Sequence, residues 1–540
     1  MIERLLENWL DNASEKSYQG PFLQMLIGEG YALLHNTRHT PIEFGKDVIA
    51  HAADGSLIAF QLKGKPGGTM SLNELRDIYP QLMELSTFVV RYPGIEPKCP
   101  RPVLVVNGEL DEAAQKALDD YNAGALKANP VAVWSRGSLL DMAKRMSFNL
   151  WPSELSDMSG LLKTLTADPR ASFPIRMVEP LLIEMLGLGN TPMQASKAEF
   201  QRRVASSGLL VGLCAQRFVQ EENHWAVSQA WTMHFGLVSA CAERYGLALS
   251  PSIRETFNLS VKLLDQSLKN LADEVATARH LTIPNSLAEG LVYSARLTIL
   301  RGLLSALWHR GRSDSDTQTS ARATSALSKI AGEMEFWGES AAPHILLWLW
   351  MLDHTCPGNT PEATRVELLS YILQNNRKGS STALPPPYFD YEETMRAKID
   401  VLRSQHSKPF GGDTIDGVSF IAYPFFEELV RQNLKVSAKN AWPALTRLTH
   451  HQVNVELAWQ FPLNRAESAQ NLTRVLDLTT TWDAELASAY SNVEPPLPAL
   501  IANRPDLVAL ILLLYPHRAS PIVLRFLSLR LGKAWLSQRM

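Results

Sequence analysis

The segment Asp47–Lys63, DVIAHAADGSLIAFQLK, constrains the fold more than any other stretch of the chain. Two apolar, β-prone runs, DVIAHA and LIAFQLK, flank Ala53-Asp54-Gly55-Ser56. Asp-Gly between such runs is a strong signal for a tight hairpin. A hairpin here folds Asp47 back toward Gln61. Side chains alternate along a strand, so Gln61 and Lys63 point to one face. A carboxylate, an amide and an ammonium then converge at one end of a sheet.

The flanking sequence extends this hairpin into a layered α/β domain. Leu5–Leu10 and Phe22–Leu34 carry the stripes of amphipathic helices. After the hairpin, SLNELRDIYPQLMELS reads as a helix that Ser71 and Glu74 start as a capping box, with Pro80 inside it. Pro102–Asn107, PVLVVN, reads as a buried strand. A helix is expected from about Asp111, a further strand at Val131–Ser135, and a closing helix from Ser138. Apolar strands between helices imply a mixed sheet covered on both faces.

From about residue 151 alternation gives way to helical stripes, as in FPIRMVEPLLIEMLG, GLVYSARLTILRGLLSALW and PHILLWLWMLDH. The expected organisation is an α/β domain over 1–150, a helical region over 151–374 and a helical C-terminal region over 375–540. No fixed repeat period is present; a degenerate helical solenoid is one arrangement such stripes allow. Gly311–Thr319 and Asn375–Phe389 have the composition of linkers.

A chain of 540 residues is long enough for two to four domains, and 46% hydrophobic with 20% charged residues fits a folded, water-soluble class. The net charge is −3. Residues 1–150 hold 15 Lys and Arg against 18 Asp and Glu, which leaves 37 of each for the remainder. No part is a polycation, so any grip on nucleic acid must come from a local patch or a partner. Cys99, Cys214, Cys241 and Cys356 form no CxxC pair, which argues against a disulfide framework and for a reducing, cytoplasmic setting. The start, MIERLLENWLDNASEK, lacks the charge and apolar pattern of a secretion signal. The most apolar run, Leu507–Tyr515, is about half the roughly 20 residues a membrane span needs, so no membrane partner is expected. GKPGG at Gly64–Gly68 lacks the form of a P-loop, and His35, His39 and His450-His451 have no metal-ligand spacing.

The converging trio suits phosphodiester hydrolysis. Mg²⁺ (or Mn²⁺) prefers oxygen ligands and keeps several waters, so few protein groups suffice. Asp47 supplies charge, Gln61 a neutral oxygen and the Leu62 carbonyl another, while Lys63 can orient water or stabilise an anionic transition state. With Tyr18-Gln19 on an apolar helix and Gly30-Tyr31 upstream, the segment resembles the PD-(D/E)xK nuclease superfamily, in particular its Mrr-like branch, where a QxK variant occurs. The resemblance covers about residues 1–150 and implies a restriction-endonuclease-like fold followed by a large all-α region. It also implies a metal-dependent endonuclease acting on DNA, in the manner of prokaryotic restriction and antiphage effectors whose second region docks a partner or senses a trigger. In that branch a Glu often stands on the first helix, where this chain has Gln19; Glu43 is the carboxylate that could compensate. An RNase using the same site, and an inactive nuclease fold serving as a helical interaction scaffold, remain open at this point.

Overall fold

The computed structural model describes the chain outside residues 1–5, 8–9, 12, 37–46, 66–67, 91–96, 148–162, 279–286, 331–333, 357–360, 381, 390, 404–415, 454, 456, 465–472, 477, 479–480, 492–493 and 533–540. It divides into two compact units, Met1–Leu263 and Leu264–Met540.

In the first unit, helix α1 (Glu15–Gly28) leads to strand β1 (Ala32–Asn36), then to the hairpin of β2 (Val48–His51) and β3 (Leu57–Lys63). The Asp-Gly turn forms as the composition predicts. Gly55 takes φ +79, and the Asp54 carboxylate accepts from Ser56 N at 2.8 Å. Short β4 (Thr69–Met70) precedes α2 (Leu72–Thr87), whose Ser71–Glu74 capping box is present and which runs through Pro80. Then come β5 (Arg101–Val106), short β6 (Glu109–Leu110), α3 (Glu112–Ala123) capped by Asp111, β7 (Ala132–Trp134) and α4 (Arg136–Ser147).

The five-stranded sheet has the order β1-β2-β3-β5-β7, antiparallel through the hairpin and parallel from β3 to β7. One face packs Ile49, Leu57, Ala59, Leu104 and Val106 against Leu75, Leu82 and Leu85 of α2 and Ala114 and Leu118 of α3. On the other face Phe60 meets Phe22 of α1 at 5.5 Å and Trp134 at 5.2 Å between ring centres. Burying these apolar side chains on both faces is the main force holding the layers together.

Strand β1 corrects one expectation. The helix read over Phe22–Leu34 stops at Gly28, because Gly30 adopts φ +87 and Tyr31 N closes back on Leu26 O at 2.9 Å. Glycine takes that conformation without strain, and the chain leaves as a strand.

Three further helices, α5 (Ile175–Met185), α6 (Lys197–Gln220) and α7 (His224–Arg244), and the first part of α8 (Pro251–Thr277) complete this unit. The compact unit therefore continues well past residue 150. Gly208 and Gly212 let α6 approach α1 closely: a Cβ at Gly212 would come 2.8 Å from Pro21 Cγ.

The second unit is predominantly helical, with α9 (Leu287–Ser313), α10 (Thr317–Leu327), α11 (Ala342–Thr355), α12 (Glu362–Asn375) and α13 (Tyr391–Arg403) in its first half. The linker expected at Gly311–Thr319 shrinks to three residues, since α9 runs to Ser313 and Asp316 caps α10. The all-α expectation also needs correction. Strand β8 (Val418–Ser419) precedes α14 (Ala422–Arg431) and α15 (Lys435–Leu445), and β9 (Thr449–Val453) and β10 (Thr473–Leu476) join β8 in a three-stranded sheet ordered β10-β9-β8. Helices α16 (Trp482–Ala489), α17 (Pro505–Leu514) and α18 (Pro521–Leu531) follow.

Buried charges tie this unit together in pairs, as burial requires. The Arg310 guanidinium reaches Asp265 at 2.6 Å and Asp506 at 2.7 Å, and Arg365 reaches Asp353 at 2.6 Å. Among the described helices, the stretch Glu289–Ser313 is long and apolar enough to cross a membrane, and 61% of its apolar window is buried inside the protein.

Candidate active site

Pairing in the hairpin runs from His51 opposite Leu57 to Val48 opposite Phe60; Asp47 stands just before β2, and its N donates to Phe60 O at 2.9 Å. Gln61 and Lys63 share the face of β3 that carries Ala59, and the Asp47 carboxylate meets the Gln61 amide there. They stand at the carboxyl end of β3, where the antiparallel hairpin meets the parallel strands. The carboxyl ends of parallel strands are where open α/β sheets place ligands.

Asp47 and Gln61 are each 5% exposed. One oxygen of the Asp47 carboxylate accepts from Gln61 Nε2 at 2.7 Å and from Leu62 N at 2.6 Å. The Gln61 nitrogen also lies 3.5 Å from the Leu62 carbonyl oxygen. Both neighbours are acceptors, which fixes the amide with its nitrogen inward. Lys63 is half-buried.

Beyond the strand end the chain is held from several sides. Gly64 N donates to Glu15 Oε2 at 3.2 Å, and Tyr18 OH donates to the Lys63 carbonyl at 3.1 Å and the Val105 carbonyl at 3.3 Å. Burial raises the Tyr18 hydroxyl well above its ordinary pKa, with the negative charges of Glu15 and Asp47 adding to it, so the phenol stays a donor. Asn107, fully buried at the end of β5, accepts from Lys65 N at 2.6 Å and donates to Leu10 O and Ala13 O at 3.0 and 2.6 Å. Lys65 pairs with Glu74, whose carboxyl the Lys65 ammonium and Ser71 hold down at about 2. Lys65 is thereby engaged with the start of α2.

The residues expected from the sequence stand as follows. Asp47, Gln61 and Leu62 are joined by hydrogen bonds, and Lys63 lies two positions on from Gln61, on the same face of β3. Gln19 sits on α1 beside Tyr18, half-buried. Glu43 lies outside the described residues. Glu15, Tyr18 and Asn107 were not singled out for a role by sequence reasoning; the spacing of Glu15 and Tyr18, three apart on a helix, was the only signal that they act together.

Among the described residues no three His, Cys, Asp or Glu side chains come together as a metal-binding cluster. The donors present are oxygens: the Asp47 carboxylate, the Leu62 carbonyl and, after a half-turn of its amide, Gln61. This set suits a hard cation that keeps most of its water, and it would hold Mg²⁺ less tightly than a pair of carboxylates.

No protein-family model, no curated protein and no solved structure matches the chain. The chemistry of the site therefore rests on its own geometry.

Proposed function

We propose that the first unit is a metal-dependent nuclease that hydrolyses phosphodiester bonds in DNA. The observation that carries this reading is the meeting of Asp47 with Gln61 at 2.7 Å, with Lys63 on the same face of β3 at the carboxyl edge of the sheet. Asp47 and the Leu62 carbonyl, with Gln61 once its amide has turned, would hold Mg²⁺ or Mn²⁺. The bound ion would acidify a water and draw off charge from the phosphate. Asp47 orients the ligand set, being itself oriented by Leu62 N. Lys63 brings a positive charge to the side where a scissile phosphate would lie and can position the attacking water. The resemblance to Mrr-like PD-(D/E)xK nucleases points the same way. It suggests a restriction or antiphage effector whose large helical portion docks a protein partner or senses a trigger.

One observation favours a second reading. The inward nitrogen of Gln61 already satisfies Asp47, as expected of a nuclease fold kept as an interaction scaffold without catalysis.

Purified full-length protein incubated with plasmid, linear DNA and RNA, each with Mg²⁺, Mn²⁺ or chelator, separates the readings. Metal-dependent DNA cleavage is expected, with Asp47→Ala and Lys63→Ala each reducing the rate by roughly 100-fold or more while the fold is kept. Cleavage by Asp47→Ala at the wild-type rate would sink the assignment. Cleavage of RNA alone would change the substrate class. No cleavage of any nucleic acid under any cation would favour the scaffold.

A further inference from the structure

We propose that Glu15 and Tyr18 form a clamp on the Lys63–Gly64 peptide and act as positioning residues for the Lys63 ammonium. The assignment of a catalytic task to Lys63 rests on the nuclease reading; the clamp itself rests on geometry.

A peptide unit has one donor and one acceptor on opposite edges. In the Lys63–Gly64 peptide both are taken by the first turn of α1. The carbonyl of Lys63 accepts from Tyr18 OH at 3.1 Å, and the N–H of Gly64 donates to Glu15 Oε2 at 3.2 Å. Glu15 and Tyr18 are three apart on the helix, so they face the same strand end. Rotating this peptide plane would break both bonds together. Strand pairing also holds Lys63, whose register partner is Val106 of β5. The backbone at Lys63 is thereby fixed by both the clamp and the sheet, and the starting point of its long side chain with it.

Two further features belong to the same device. Tyr18 is fully buried, and its hydroxyl also reaches Val105 O at 3.3 Å, so one phenol ties the ends of β3 and β5 to α1. Gly64 is the residue that lets the helix come so near: a Cβ there would lie 2.8 Å from Glu15 N and 3.0 Å from Glu15 Cβ. The Tyr18–Val105 bond is buried, and a hydrogen bond shielded from water holds its geometry more firmly than one at the surface. Lysine has a flexible four-carbon stem, so a catalytic ammonium depends on an anchored backbone.

The clamp is tested on the full chain with three variants, Tyr18→Phe, Glu15→Ala and Glu15→Gln. Tyr18→Phe keeps the ring and removes the donor. Glu15→Gln keeps an oxygen that can accept from Gly64 N and removes the charge. The first readout is the rate at which an amine-selective acylating reagent modifies Lys63, resolved by mass spectrometry, with circular dichroism confirming that each variant folds. Tyr18→Phe and Glu15→Ala are expected to change Lys63 reactivity severalfold, and Glu15→Gln to return it to the wild-type rate. The second readout is DNA cleavage. Tyr18→Phe and Glu15→Ala are expected to lower kcat by roughly 10–100-fold, the usual cost of losing an outer-shell partner. The Mg²⁺ concentration for half-maximal rate stays the same, and Glu15→Gln restores kcat. Unchanged Lys63 reactivity in both Tyr18→Phe and Glu15→Ala overturns the clamp. Equal losses in Glu15→Gln and Glu15→Ala, with a raised Mg²⁺ requirement, overturn it in favour of Glu15 as a metal ligand. If the wild-type protein cuts no nucleic acid, the nuclease reading falls, and the labelling result still decides the clamp.

Discussion

Asp47 receives a backbone and a side-chain donor on the same oxygen, both within 2.7 Å. Hydrogen bonds to a carboxylate favour its ionised form and resist its departure from that position. The amide of Gln61 therefore holds Asp47 in place, and in the proposed reading it would have to turn before its oxygen could serve a cation. Gln61→Glu separates these roles. Without metal the variant places two carboxylates where a hydrogen bond stood, so one must take up a proton or repel the other. In chelator at pH 8 the variant is expected to be less stable than wild type by about 1–3 kcal/mol, the cost of a lost buried hydrogen bond. The deficit should shrink as the pH falls toward 6, and adding Mg²⁺ should raise its melting temperature more than that of wild type. Equal melting in chelator and no extra response to Mg²⁺ would show that Gln61 does not face the proposed cation site.

The meeting of Asp47 with Gln61 was legible because the Asp-Gly turn acts over a few residues. Glu15, Tyr18 and Asn107 were not. Their bonds join positions 49, 45 and up to 97 residues apart, and no local pattern encodes which strand end a helix will dock on.

At the scale of elements, the sequence signals that succeeded were caps and turns. Ser71–Glu74 and Asp111 start α2 and α3 as the residue types predict. The elements that were missed are short. ALLHN of β1 continues an apolar helical stripe, and only Gly30 breaks it. In the three-stranded sheet, VS of β8 and THHQV of β9 are too short or too polar to show alternation. Short apolar runs fit a helix tail and a strand equally well until packing decides.

Packing among α6, α7 and α8 also makes a prediction about pH. The imidazole of His234 is fully buried, 2.9 Å from Ser207 Oγ and 2.7 Å from Ser260 Oγ. Burial pushes its pKa down from 6.5 to about 3. The unfolded chain binds that proton more readily than the folded one. The stabilisation His234 provides is therefore complete above pH 6.5 and is lost as the pH falls toward 3. His234→Gln is uncharged throughout. Whatever the variant costs at pH 7.5, the gap between it and wild type should narrow below pH 6.5, by about 1.4 kcal/mol for each pH unit. Urea unfolding of both proteins from pH 7.5 to 5 measures this, and a gap that stays constant would show that His234 is protonated within the fold.

For the whole molecule, charge decides how such a site can meet its substrate. The net charge is −3, and residues 1–150 alone carry 15 Lys and Arg against 18 Asp and Glu. Several of the cations in the first unit are already engaged: Arg136 with Asp11, Arg145 with Glu29, Arg203 with Glu199 and Lys65 with Glu74. Non-specific affinity for DNA comes chiefly from phosphates neutralised by Lys and Arg, and each such contact steepens the fall of affinity with salt. A cation paired with one of the protein's own carboxylates is less available to phosphate, and the net charge supplies no bulk attraction. The isolated protein is therefore expected to bind duplex DNA near the weak end of the non-specific range, with a Kd of about 10⁻⁴ M at physiological salt and a shallow salt slope. In the proposed reading, a partner or trigger docking on the helical portion beyond residue 150 would then supply the missing hold, and such dependence would protect a cell from the nuclease. Fluorescence anisotropy with a labelled duplex, titrated from 50 to 200 mM salt, tests this at about the range where the counterion effect is largest. Tight binding by the protein alone at about 150 mM salt, with affinity falling steeply as salt rises, would mean that a local basic patch suffices and that no partner is needed to bring DNA to Asp47.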